Sequence, residues 1–104
     1  MLKQKTYNTN DVVSVVLATG QELICKFVSE DMAGVTIKRP LTLVVAPDGN
    51  ANFQPFSFTG DSEGEVTVRS SQVIAIMKTR AEIGQAYSAA TNGLVVPDTG
   101  LIKG

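Results

Sequence analysis

The sequence has no histidine, no tryptophan and only one cysteine. Losing imidazole removes the commonest general base, proton shuttle and zinc ligand together, so metalloenzyme and Ser-His-Asp readings fall with it. A lone thiol closes no internal disulfide, and Cys25 therefore fits a reducing compartment or a fold that needs no covalent staple. In the middle of an apolar run it reads as a small core residue, with no imidazole to activate it as a nucleophile. Charge is scarce as well. Charged residues make up 18%, and 9 Lys and Arg stand against 10 Asp and Glu for a net charge of -1. No global basic field advertises nucleic acid, so a polyanion would have to meet a local patch. No apolar run approaches the length of a membrane span, and residues 1–10 are polar where a signal peptide carries its apolar stretch. The expectation is a cytoplasmic protein with no membrane partner.

A hydrophobic fraction of 43% over 104 residues is enough for one domain with a small core. The stretch 12–38 organises the rest. Three runs of β-branched and other apolar residues are separated there by turn signals at 18–21 and 30–34, a spacing that predicts a three-strand antiparallel meander. The first strand, 11–17, puts Val13, Val15 and Leu17 on one face and Val12, Ser14 and Val16 on the other. Apolar residues on both faces suit a strand covered on two sides. The second, 22–29, aligns Leu23, Cys25 and Phe27, and in the third Val35 and Ile37 alternate with Thr36 and Lys38.

Arg39-Pro40 predicts an edge position or a bend, because proline cannot donate to a ladder. Strand resumes over 41–46, and Pro47-Asp48-Gly49-Asn50 is a turn. Phe53, Phe56 and Phe58 fall in one short piece and read as packing mass, followed by a solvated acidic loop at 59–64. Residues 65–69 and 72–78 are two further strands, joined at Ser70-Ser71. Thr79-Arg80-Ala81-Glu82 has the form of a capping box, with Ile83, Ala86, Tyr87 and Ala90 at helical spacing behind it. A helix is expected over about 80–91, stopped at Asn92-Gly93 and followed by an apolar tail over 94–104.

Five short strands joined mostly by tight turns point to a small SH3-like or Sm-like barrel. Val15-Val16-Leu17-Ala18-Thr19-Gly20 resembles the opening of the first Sm and LSm motif, with Gly20 at the turn glycine. Val68-Arg69-Ser70-Ser71-Gln72-Val73-Ile74-Ala75-Ile76 resembles the second motif. The resemblance covers about 11–78 with an enlarged segment between the motifs. The whole pattern, helix included, is similar to small Sm-like proteins encoded by marine bacteriophages. It implies a mainly β fold: a five-stranded antiparallel Sm-like (SH3-like) barrel over about 11–78, carrying the short C-terminal helix. It also implies that the fourth strand of one subunit pairs with the fifth of the next. Free apolar edges are association sites unless something covers them, so the implied state is a cyclic homo-oligomer with Val66, Val68, Val73, Ile74 and Ile76 at its interface.

The same resemblance implies a pocket for single-stranded RNA. Met32 falls at the base-stacking position and Gly34 replaces the asparagine that reads the base edge, while Arg69 is kept and Ser70 and Ser71 replace Gly and Asn. Such a pocket implies weak binding, since the amide that reads the base is missing. The residues also admit a simpler account in which Gly34 permits the turn, Met32 fills space and Arg69 is a strand-end charge. Two functions are expected: a non-enzymatic ring that binds single-stranded RNA weakly, or a structural or adaptor homo-oligomer that meets a protein partner through the phenylalanine segment and the apolar tail. No cofactor and no metal are implied. The carboxylate groupings Glu30-Asp31 and Asp61-Glu63 sit on turns without a basic or nucleophilic neighbour in sequence, so an enzyme has little support.

Overall fold

The computed structural model describes residues 7–57, 59–61 and 63–92. Strands β1 (Val12–Leu17), β2 (Glu22–Glu30) and β3 (Gly34–Val45) form the expected meander. Each turn has a local cause. Gly20 takes φ +93° and donates its N–H to Leu17, a conformation that favours glycine. The Asp31 carboxylate accepts from the backbone N–H of Ala33 at 2.9 Å and of Gly34 at 3.2 Å, closing the second turn.

The inward faces match the alternation. Val13, Val15, Leu17, Leu23, Cys25, Phe27, Val35 and Ile37 form one buried cluster. Removing these side chains from water is the main force holding the sheet in shape.

The remaining elements are β4 (Ala51–Pro55), β5 (Glu65–Arg69), a 3-10 turn (Ser70–Gln72), β6 (Val73–Lys78) and helix α1 (Ala81–Asn92). Sheet order is β4-β3-β2-β1-β6, and β5 also pairs with β3. β4 lies along 41–45 of β3 and β5 along 34–38, so both occupy the same side of that long strand. A step of three along β3, from Leu41 to Lys38, corresponds to a step of ten along its partner, from Pro55 to Glu65. Seven residues are therefore looped out, and β4 and β5 behave as one interrupted strand.

This corrects the expected architecture. Among the described residues the sheet has six strands rather than five, and it stays open, so neither the Sm-like (SH3-like) barrel nor a mainly β barrel domain forms; the fold is a mixed one of open sheet and helix. The insertion splits the fourth strand. The 3-10 turn then carries the chain from β5 to β6 with no ladder between them among the described residues. The architectural half of the resemblance to Sm and LSm proteins, including the phage proteins, is lost with the barrel.

At Arg39-Pro40 the strand bends without ending. Ile24 pairs with Leu41 and Lys26 with Lys38, so β3 carries one extra residue there, and Arg39 takes φ +52°. A bulge admits Pro40, which is buried, and moves the β2–β3 register by one residue.

α1 docks on this bend. The Tyr87 hydroxyl donates to the Arg39 carbonyl at 2.6 Å, its ring meets Phe53 edge-on at 6.3 Å, and the side chain is fully buried. The Arg39 guanidinium donates to the Thr91 carbonyl and pairs with Glu63 at 3.2 Å on the surface. The capping box is not formed. The Thr79 hydroxyl instead shares a hydrogen bond with Ser14 at 2.8 Å, and the helix begins at Ala81. The apolar tail and Phe58 lie outside the described residues.

Burial pushes the Cys25 thiol up from 9.0 to about 12, and raises the Tyr87 hydroxyl above its ordinary 10.0. Both groups hold their protons more tightly in the folded state than in the unfolded chain. The stability this gives is complete below pH 9.0 and drains as pH rises through the folded values. Unfolding free energies from urea titrations at about pH 8 to about 11 should fall by roughly 1.4 kcal/mol per pH unit once Cys25 ionises in the unfolded chain, and more steeply once Tyr87 joins. Cys25→Ala should flatten the first part of that slope and keep the second. Identical profiles for variant and wild type would contradict the assignment.

Candidate functional site

The open side of the sheet has two borders, and the ladder pattern shows which backbone groups face them. In an antiparallel pair, residues alternate between those that bond across the ladder and those that point away. Ser70 donates its N–H to the Ala33 carbonyl at 2.9 Å, which fixes that alternation for β5 and leaves Glu65, Thr67 and Arg69 pointing outward. Thr79 donates to Val12 at 3.4 Å, which in the same way turns Ile76 and Lys78 outward on β6. Ile74 sits in the register shift between the Ala75 and Val73 pairs and has no partner on β1.

The expected interface residues divide accordingly. Val66, Val68, Val73 and Ile76 turn inward and pack against the core cluster, whereas the Ile74 side chain is 66% exposed.

A cleft of about 420 Å³ opens between these borders, lined among others by Tyr7, Glu30, Asp31, Gly34, Ser70 and Ile74. The residues singled out for RNA gather on its β5 side. Ser70 donates its hydroxyl to the Met32 carbonyl at 3.2 Å, and Gly34 stands opposite Arg69 in the β3–β5 ladder. Met32 is 95% exposed at the tip of its turn, and Arg69 and Ser71 are exposed beside it.

Gly34 is in strand with no positive φ, so turn freedom is not its reason for being there. A Cβ on Gly34 would overlap the Val68 carbonyl oxygen and lie 2.9 Å from the Val68 carbonyl carbon and 3.0 Å from the Arg69 Cα. The glycine is there because two backbones touch.

The carboxylates are occupied or scattered. Asp31 closes its turn, Asp61 accepts the Glu63 N–H at 3.0 Å, and Glu63 pairs with Arg39. Among the described residues no three histidine, cysteine or acidic side chains gather as a metal site, and no helix is long and apolar enough to cross a membrane. A second groove of about 640 Å³ runs between the start of α1 and the far end of the meander, lined among others by Ile24, Leu43, Val44, Met77 and Ile83. Of the phenylalanines expected to serve a protein contact, Phe53 packs on Tyr87 and Phe56 on the core.

Tyr7 is the site residue that sequence reasoning missed. It stands in a polar lead-in without periodicity, and its one signal was being the only aromatic there. Its hydroxyl donates to the Ile76 carbonyl at 3.0 Å and its ring packs on Phe27 at 5.7 Å. Compared with known proteins, the chain matches no family model and no curated sequence.

Proposed function

We propose that the protein is a non-enzymatic, self-associating module in which the β6 border of one copy pairs with the β5 border of the next. One observation supports it above others: among the described residues β5 and β6 each carry a single ladder and present outward-facing backbone groups on opposite ends of one open sheet. Such borders template pairing unless charge, proline or a covering element blocks them. Neither strand contains proline, and Ile74 is an exposed apolar side chain on one of them. Because the two borders differ, the contact is heterologous and closes into a ring if the rotation allows.

The reading stops short of RNA. Glu30 and Asp31 line the cleft beside Gly34 and Ser70, and their charge repels phosphate at the place where a strand of RNA would enter.

Sedimentation velocity tests the proposal. The wild type should run above monomer mass at tens of micromolar, and Ile74→Lys should return it to monomer mass with unchanged circular dichroism, since a lysine at an exposed border blocks pairing without touching the core. A wild type that remains monomeric across the concentration series would discard the reading.

A further inference from the structure

We infer that Tyr7 is an internal latch on the β6 border, holding the backbone acceptor that a neighbouring copy needs; this rests on the edge-pairing reading above and concerns its regulation. Ile76 lies within β6, and the ladder to β1 turns its carbonyl toward the open side. The Tyr7 hydroxyl already donates to that carbonyl at 3.0 Å. An incoming strand would place a backbone N–H in the same direction.

The latch is braced. The Tyr7 ring rests on Phe27, the Asn10 N–H donates to the Phe27 carbonyl at 2.7 Å, the Thr9 hydroxyl donates to the Val28 carbonyl at 3.0 Å, and the Asp11 carboxylate accepts the Asn8 N–H at 2.9 Å. Residues leading out of Tyr7 are thus tied to β2, and the phenol is delivered across the cleft rather than left to wander. Assembly through β6 requires the hydroxyl to leave Ile76. The free copy is spared a bare border, and the concentration at which copies join is raised.

Tyr7→Phe keeps the ring on Phe27 and removes only the hydroxyl. In a sedimentation dilution series it should lower the apparent Kd for self-association roughly three- to tenfold, the range set by one net hydrogen bond. Adding Ile74→Lys to Tyr7→Phe should abolish the gain. An unchanged or weaker association in Tyr7→Phe, with the wild type still assembling, overturns the latch and leaves edge pairing standing. So does a gain that survives Ile74→Lys. Wild type and Tyr7→Phe that both stay monomeric overturn latch and edge pairing together. A readout needing no variant is the Tyr7 ring resonances of the wild type, which should shift between dilute and assembled samples; resonances that stay put on assembly overturn the latch.

Discussion

Gly34→Ala should lower stability by about 3 kcal/mol or more, since a methyl group there meets backbone rather than a side chain that can swing aside. For a domain whose whole stability is about 5–10 kcal/mol, that is a large share. The neighbours at risk are Val68 and Arg69 on β5, a strand that among the described residues pairs only with β3. Urea unfolding gives the magnitude, and amide exchange at Val66 and Val68 shows whether β5 lifts away first. Gly20→Ala is the matched control. That glycine has φ +93° and open space around it, so its penalty is conformational, about 1 kcal/mol. Equal losses for the two variants would mean that the close approach of β3 and β5 is not there.

Tyr87→Ala should cost about 3–5 kcal/mol and free the helix from the sheet. A twelve-residue helix is marginal by itself in water, and among its described side chains only Tyr87 is fully buried. Tyr87→Phe separates packing from hydrogen bonding. It keeps the edge contact with Phe53 but leaves the Arg39 carbonyl without its donor, for a loss of about 1–3 kcal/mol. Denaturant curves rank the variants, and amide protection across 81–91 reports the helix. Protection in Tyr87→Ala equal to that of the wild type would show that something other than this tyrosine holds α1 in place.

Much of the sheet was readable because its causes are local. Gly20, the Asp31 turn and Gly49 at φ +92° are set by residues within a few positions, and the alternation of Val13, Val15 and Leu17 is a property of one strand. What escaped reading depends on distant partners. Nothing near Gly34 in sequence announces that Arg69 will lie against it, and nothing near Tyr87 announces the Arg39 carbonyl. Thr79 had a capping box in sequence, yet Ser14, which is far away in the chain, took its hydroxyl. Pro40 followed a local rule only in part, since the bulge at Arg39-Pro40 let the strand run on past it. Barrel closure was the least legible feature of all. It depends on where two borders end up after a seven-residue insertion, and strand patterning is blind to that. In the candidate site, Ser70 lies against Met32 and Gly34 against Arg69, while Tyr7 arrived from outside the motifs.

The seven-residue insertion between β4 and β5 amounts to slack in an otherwise taut weave. Each flank is stitched to β3 by its own rungs, so the number of residues between them can change without displacing a single pair on either side. Lengthening such a segment is penalised only logarithmically, about 0.6 kcal/mol per doubling. Along this margin of the molecule, new text can be written without editing what stands beside it.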